Sequence, residues 1–74
     1  MTTAEKLNQA IGDTLCECRE SMKMTRGEFS SFLGVSYRSY SNYEEGLQQP
    51  KLNTLLVICN KLEISLSNML GRKA

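Results

Sequence analysis

The chain has 74 residues, 41% hydrophobic and 23% charged, with a formal net charge of +1. This length suits one domain spanning residues 1–74, whose small core buries only about 60% of the unfolded surface and would gain from dimerisation. No apolar run approaches the roughly 18 residues of a membrane span, and no signal-like leader opens the chain, so we expect a cytoplasmic protein with no membrane partner. The near-neutral charge is a point against a generic nucleic-acid binder, which usually shows a basic patch or stripe.

Three cysteines and no histidine stand in the sequence. The odd count argues against a disulfide framework, and three thiols without an imidazole leave a tetrahedral zinc site incomplete. We expect Cys18 and Cys59 to be small buried hydrophobes, and a redox switch at Cys16 has no support in the pattern. With no histidine, no glycine-rich phosphate loop and no nucleophile paired with a base, we expect no enzyme, no cofactor and no small-molecule substrate.

The first helix is predicted over about residues 3–22. Thr2 and Glu5 have the spacing of a capping box, in which a hydroxyl and a carboxylate satisfy two backbone N–H groups. The buried stripe recurs at helical spacing and comprises Leu7, Ile11, Leu15, Cys18 and Met22. Gly12 inside this run costs about 1 kcal/mol against Ala, which indicates either a close helix approach or an unselected glycine. Lys23 ends the helix either in the left-handed conformation, at some cost, or by another route.

The second helix is predicted over about residues 25–33, and Met24 before it should belong to the core. Its first turn, TRGE at residues 25–28, has the pattern of a second capping box. Its apolar face comprises Phe29, Phe32 and Leu33. Gly34 follows where a helix ends and the chain needs a positive φ.

The third helix is predicted over about residues 36–45, with Ser36 as its N-terminal cap. Tyr40 should point inward and pack on the second helix. The exposed face then carries side chains able to bond base edges, namely Tyr37, Arg38, Ser41 and Asn42. A helix, a short glycine-containing turn and a second helix of this kind form the helix-turn-helix plan, here over residues 25–46.

Two further helices complete a predicted all-α fold of five helices around one core. Pro50 marks the entrance to the fourth helix, over about residues 52–62, and Ser65 caps a short fifth helix over about residues 66–70. Their apolar side chains are Leu55, Ile58, Cys59, Leu62, Leu66, Met69 and Leu70. Residues 71–74 are expected to form a frayed tail.

Several short motifs occur in a characteristic order: Arg19, Met24-Thr25, Glu28-Phe29, Gly34-Val35-Ser36, Tyr43-Glu44-x-Gly46, Pro50 and Ile64-Ser65. In this order and spacing the chain resembles the lambda-repressor-like (Xre/Cro-type) helix-turn-helix family, over about residues 11–70. The resemblance implies a five-helix DNA-binding domain whose partner is double-stranded DNA. It also implies a sequence-specific transcriptional regulator, either a dimeric repressor or a controller-type autoregulator, that binds a near-palindromic operator.

The resemblance puts base-reading positions on Tyr37, Arg38 and Asn42, with Ser41 on the same predicted face. Arg38 can donate two parallel hydrogen bonds to guanine O6 and N7, and Asn42 can make a matching pair with adenine. Tyr37 can offer its hydroxyl to a phosphate or base edge and its ring to a thymine methyl. The alternative is that these side chains are simply solvated surface.

Candidate phosphate contacts begin with Arg26 in the first turn of the second helix, where free N–H groups and the helix dipole favour an anion. An Arg in this position opposes the dipole unless an anion is present. The other candidates are Lys23, Thr25, Ser36, Ser39, Tyr43 and Lys51. The family tends to carry basic residues after Gly46, whereas this chain has Leu-Gln-Gln at 47–49, which predicts weaker and less salt-dependent DNA binding.

In the family an Arg at the end of the first helix pairs with a Glu at the end of the third, and Arg19 and Glu44 match those positions. A partly buried pair would fix the angle of the reading helix, and losing one partner would cost about 3–5 kcal/mol. Ile64 and Leu66 form the apolar spot expected to be most exposed, and the resemblance implies a homodimer contact there. The alternative is that both side chains close the core.

A second functional hypothesis is a protein-binding module on the same fold, such as an antitoxin or anti-regulator, with weak or no DNA binding. The net charge of +1 and the uncharged loop at 47–49 favour it. An open third-helix surface from which Arg38 and Asn42 project would favour DNA instead.

Overall fold

The computed structural model describes residues 2–71, and every regular element within them is helical. The five helices are α1 (Thr3–Ser21), α2 (Arg26–Leu33), α3 (Tyr37–Glu44), α4 (Leu52–Leu62) and α5 (Leu66–Met69). The predicted all-α fold is therefore confirmed, with bounds that shift slightly where capping residues fall outside the helical hydrogen bonding. Apart from Gly71, the predicted tail lies outside the described residues. Within residues 2–71, no helix is both long and apolar enough to cross a membrane.

Side-chain caps fix where most of the helices begin. Thr25 Oγ1 accepts a hydrogen bond from Glu28 N at 3.1 Å, and Glu28 Oε1 accepts one from Thr25 N at 2.9 Å. The same reciprocal box joins Thr2 and Glu5 at the start of α1. Single serine caps begin α3 and α5. Each cap satisfies backbone N–H groups that the first helical turn leaves free.

One apolar core lies between the helices. Its buried side chains are Ile11, Leu15, Phe29, Leu33, Tyr40, Tyr43, Leu55, Ile58, Cys59 and Met69. Phe29 of α2 meets Tyr40 of α3 edge-to-face, with ring centroids 5.3 Å apart. Tyr40 is fully buried, as expected, and this aromatic contact fixes α3 against α2.

Two apolar side chains are exposed, one predicted on the buried stripe of the first helix and one on the apolar face of the second. Met22 is the C-terminal cap residue of α1, so its side chain lies past the last buried turn of the helix. Phe32 stacks on Phe29 with ring centroids 6.2 Å apart and lies at the rim of the core. Helical spacing identified the correct faces but not the points at which those faces leave the core.

The apolar spot expected at Ile64 and Leu66 is not the most exposed one. Both side chains are partly buried and pack against the core, in line with the alternative interpretation. Within residues 2–71 the most exposed large apolar side chains are Leu47 and Leu52, at 71% and 65%. Exposed apolar surface therefore lies in the loop after α3 and on α4.

α1 and α3 make a close backbone approach at Gly12. A Cβ added there would lie 2.5 Å from Glu44 O and 2.8 Å from Tyr43 O. These are backbone atoms, which cannot move aside as a flexible side chain would. Of the two interpretations that the sequence left open, the close helix approach is correct. The chain leaves α1 through Lys23, whose φ of 56° is the left-handed conformation that the sequence allowed at a cost.

We expect Gly12→Ala to lower the free energy of unfolding by about 1–3 kcal/mol, because overlap with the α3 backbone outweighs the higher helix propensity of Ala. Gly27→Ala is the matched control, since its Cβ would meet only Thr25 Oγ1, at 3.9 Å. The control should be neutral or stabilising. Urea unfolding followed by circular dichroism measures both variants. Unchanged or increased stability of Gly12→Ala would show that the close approach does not constrain the packing.

Candidate nucleic-acid interface

The turn between α2 and α3 positions the candidate interface. Gly34 ends α2 with a φ of 77°, in the left-handed region that favours glycine. Ser36 Oγ then accepts a hydrogen bond from Ser39 N at 3.1 Å and begins α3. Lys61 Nζ donates to Phe32 O at 3.2 Å, at the C-terminal end of α2, where a cation complements the helix dipole. The turn is therefore held both by its own caps and by α4, and the role of Lys61 was not predicted.

α3 presents one face to the core and another to solvent. Tyr40 and Tyr43 are buried, whereas Tyr37 is 58% exposed and Arg38 is also exposed. The exposed pair lies in the first turn, so the N-terminal half of α3 projects from the body. In helix-turn-helix proteins this is the half of the recognition helix that contacts base edges.

Asn42 and Ser41 are less accessible than the sequence predicted. Asn42 is half-buried, and its Nδ2 donates to Gln48 Oε1 at 3.3 Å in the loop after α3. The Ser41 hydroxyl oxygen is buried and has no hydrogen-bond partner among the residues that the structure describes. The prediction that Ser41 offers its hydroxyl on the exposed face is therefore wrong, because neighbouring atoms cover this oxygen.

The hydroxyl candidates for phosphate contact serve first as helix caps. Thr25 and Ser36 each accept a backbone hydrogen bond, and each hydroxyl keeps a hydrogen that it can donate. Ser39 is half-buried in the first turn of α3, and Tyr43 is largely buried. The exposed basic candidates are Lys23 and Lys51. The structure brings Thr25 and Ser36 to the N-termini of the two helices of the motif.

Arg19 and Glu44 form the ion pair that the resemblance implied. Arg19 Nε donates to Glu44 Oε2 at 3.0 Å and Nη2 donates to Oε1 at 2.9 Å. Arg19 Nη1 also donates to Met24 O at 3.0 Å. The Glu44 side chain is only 4% exposed. A two-point contact of this kind sets the angle between the end of α1 and the end of α3.

This ion pair affects the pKa of Glu44 itself and of the adjacent Tyr40. Burial alone would raise the pKa of Glu44, but the hydrogen bonds from Arg19, the nearby Tyr40 hydroxyl and the charges of Arg19 and Arg26 lower it to about 2. Burial, and then the adjacent carboxylate, raise the pKa of Tyr40. The Tyr40 hydroxyl lies beside Glu44 without a hydrogen bond of ordinary geometry within residues 2–71. Glu44 is therefore ionised at neutral pH.

Arg26, the leading phosphate candidate, contacts two carboxylates at the end of α3. Its Nη1 donates to Glu45 Oε2 at 2.8 Å, and its Nε lies 3.3 Å from Glu44 Oε1. An Arg in the first turn of a helix opposes the dipole, and these carboxylates supply the compensating anion. The contact with Glu45 was not predicted, because it joins residues 19 positions apart that only helix packing brings together.

The cysteines lie in surroundings that disfavour the thiolate. Burial, and then the nearby Glu44 carboxylate, raise the pKa of the Cys16 thiol, which reduces its reactivity. Burial likewise raises the pKa of Cys18 and of Cys59. Cys59 is buried as expected, whereas Cys18 is only half-buried.

Comparison with known proteins matches residues 17–68 to the model of a helix-turn-helix family, HTH_3. The chain belongs to this helix-turn-helix family. The matched residues include α2, the turn and α3, which are the elements that form the candidate interface. The resemblance to lambda-repressor-like regulators is thereby confirmed.

Proteins with similar sequences include a transcriptional repressor and an antitoxin. The transcriptional repressor RstR of cryptic phage CTXphi from Vibrio cholerae is 33% identical over 64 residues, which cover 86% of this chain and 57% of that protein. Antitoxin PezA from Streptococcus pneumoniae is 30% identical over 61 residues, which cover 82% of this chain and 39% of that protein. This chain therefore spans little more than half of the first relative and less of the second.

A solved structure has the same helix-turn-helix fold. The crystal structure of an HTH_3 family transcriptional regulator from Vibrio cholerae superposes with a TM-score of 0.81 at 25% sequence identity. The superposition covers 96% of this chain and 40% of that one. The five-helix arrangement is therefore shared by a larger regulator.

Glu44 makes the stability of this family member pH-dependent in a defined direction. Its pKa is about 2 in the folded chain against an ordinary value of 4.5, so its stabilisation is complete above about pH 4.5 and is lost as the pH falls towards 2. We expect Glu44→Gln to lower the free energy of unfolding by about 3 kcal/mol at neutral pH, because Arg19 loses its carboxylate. The deficit should shrink in acid, which urea unfolding from neutral pH to about pH 2.5 measures.

The matched control is Glu17→Gln, which removes an equal charge from the exposed face of α1. It should change the free energy of unfolding little at neutral pH. A Glu44→Gln deficit that stays constant down to about pH 2.5 would contradict the titration assigned to Glu44.

Proposed function

We propose that the chain is a sequence-specific double-stranded DNA-binding transcriptional regulator, either a dimeric repressor or a controller-type autoregulator, acting at a near-palindromic operator. The observation that carries the proposal is the first turn of α3, where Tyr37 and Arg38 are exposed while Tyr40 is buried in the core and holds the helix against the body. Membership of the helix-turn-helix family and similarity to a phage transcriptional repressor support it.

The first half of α3 enters the major groove and reads base edges. Arg38 donates two parallel hydrogen bonds to guanine O6 and N7. Asn42 donates to adenine N7 and accepts from N6, which requires its Nδ2 to leave Gln48. That bond is 3.3 Å long and exposed to solvent, so exchanging it for a base contact costs little. Tyr37 contributes either its ring to a thymine methyl or its hydroxyl to a phosphate.

Contacts to the DNA backbone set the position of α2 and α3 on the duplex. The N-termini of both helices offer free N–H groups beside the hydroxyls of Thr25 and Ser36, an arrangement that favours a phosphate. The further proposed phosphate contacts are Lys23, Arg26, Ser39, Tyr43 and Lys51. Because the net charge is only +1, the DNA affinity of the chain should fall less steeply with rising salt than that of a strongly basic relative.

The proposed regulator is a homodimer, so that two α3 helices reach major-groove sites about 34 Å apart. The dimer contact includes the parts of the Ile64 and Leu66 side chains that the core leaves exposed. Leu52 and Leu56 on α4 add exposed apolar area that pairing with a second copy would remove from water. We infer that the regulator works in the cytoplasm and by binding alone, without catalysis, cofactor or metal.

A protein-binding module is the second candidate function, and the surface of α4 favours it. Leu52, Leu56 and Val57 are exposed there. Val57 and Asn53 also line an open groove of about 210 Å³ against the turn at Gly34. The similarity to an antitoxin supports a role of this kind.

We expect selection from random DNA duplexes, at about 0.15 M salt, to recover a two-fold-symmetric site for the native chain. Arg38→Ala should relax one position in each half-site and cost about 1–3 kcal/mol there, because the paired hydrogen bonds to guanine are lost. Competition binding with single-base variants of the recovered site measures this loss.

Lys6→Ala is the control, since it removes an exposed positive charge from α1. It should leave the selected sequence unchanged. If the native chain recovers no common sequence and binds only weakly to every duplex, the regulator proposal is wrong. Capture of one specific protein, abolished by Val57→Ser on the exposed face of α4, would then support the second candidate.

A further inference from the structure

Two charges stand at helix ends where the helix dipoles disfavour them. Arg26 is the first residue of α2, at its positive end, and Glu45 is the C-terminal cap residue of α3, at its negative end. Packing brings these ends together, and Arg26 Nη1 lies 2.8 Å from Glu45 Oε2. Each side chain therefore compensates the other at a position that would be unfavourable alone.

The second carboxylate near Arg26 is already neutralised. Glu44 is 4% exposed and is bound at two points by Arg19. Glu45 is 50% exposed and Arg26 is 33% exposed, so this outer pair is the one that solvent and ligands reach. The charge of the Arg26 guanidinium is balanced by Glu45, and an approaching anion meets a neutral pair instead of a free cation.

Glu45 also shares a face of α3 with the proposed base-reading residues. It follows Arg38 by seven residues, which is close to two full helical turns. The face that carries Arg38 outward from the core therefore carries Glu45 at its other end. A DNA phosphate that contacts Arg26 at the start of α2 would lie within a few ångströms of this carboxylate.

We propose that Glu45 sets the DNA affinity of this surface by occupying Arg26. The carboxylate and a DNA phosphate compete for one guanidinium, because both are anionic acceptors for the same charge-assisted hydrogen bonds. While Glu45 holds Arg26, binding of a phosphate there releases little counterion, so affinity and salt dependence are both reduced. This inference rests on the proposed function, since it takes Arg26 as a phosphate contact.

An exposed ion pair contributes little to folding, so Glu45 can be changed without loss of the structure. The rigid contact between α1 and α3 belongs to Arg19 and Glu44, which the change leaves intact. Glu45→Gln keeps the size and the hydrogen-bonding ability of the side chain and removes only its charge. Circular dichroism and thermal unfolding check that the variant folds as the native chain does.

The test compares the native chain with Glu45→Gln, Arg26→Gln and the double variant, using a labelled pool of random-sequence DNA duplexes. Fluorescence anisotropy gives Kd from about 0.05 to 0.2 M salt. We expect Glu45→Gln to tighten binding about three- to tenfold at the lowest salt, because one negative charge beside the phosphate is removed. The slope of log Kd against log salt should steepen by about 0.9 per protomer.

The double variant identifies the route of the effect. Arg26→Gln should weaken binding by a larger factor in the Glu45→Gln background than in the native one, because Arg26 is then no longer occupied. Glu17→Gln removes an equal charge from the exposed face of α1 and should stay within about twofold of the native affinity.

Three outcomes would overturn the inference. If Glu45→Gln raises the DNA affinity by the same factor in the Arg26→Gln background, Glu45 merely repels DNA and does not act through Arg26. Unchanged affinity and slope in Glu45→Gln, with normal binding by the native chain, would refute the inference and leave the proposed function intact. Absence of DNA binding by the native chain and all variants at the lowest salt would remove the proposed function as well.

Discussion

The approach of α1 to the end of α3 is the contact on which the rest of the structure depends. Because Gly12 has no Cβ, the carbonyl oxygens of Tyr43 and Glu44 lie close to α1, in space where a side chain at position 12 would clash with them. Arg19 holds the Glu44 carboxylate at two points on the same helix end. A steric and an electrostatic constraint therefore act together. α3 is anchored at its C-terminal end, and its first turn is free to project.

The net charge of +1 does not by itself describe the proposed DNA surface, because some basic side chains there are paired with carboxylates. Two of the basic side chains at or beside the motif are matched by carboxylates, Arg19 with Glu44 and Arg26 with Glu45. The first pair is largely buried and serves the fold, since exchanging its partner for an external anion would strand a carboxylate out of water. The second pair is exposed, and its partners can be exchanged at low cost. Formal charge counts both pairs alike, although only the exposed one is available to a ligand.

The sequence predicted the features that depend on neighbours along the chain. The capping boxes, the Gly34 turn and the inward face with Tyr40 follow from spacings of three or four residues. The partnership of Arg19 with Glu44 came from resemblance, because nothing local joins residues that far apart. Spacing could not identify where a helix face leaves the core, which is why Met22, predicted in the buried stripe, is exposed. The burial of the Ser41 hydroxyl and the Arg26–Glu45 contact depend on how the helices pack, and no local pattern encodes that.

The two candidate functions use surfaces that are physically connected. The open groove beside α4 is lined by Val57 on one side and by Gly34 and Val35 of the turn on the other. The next residue, Ser36, caps α3 and so sets where the proposed base-reading helix begins. A partner that fills this groove would contact the turn, so the surface proposed for protein binding lies one residue from the cap that begins α3.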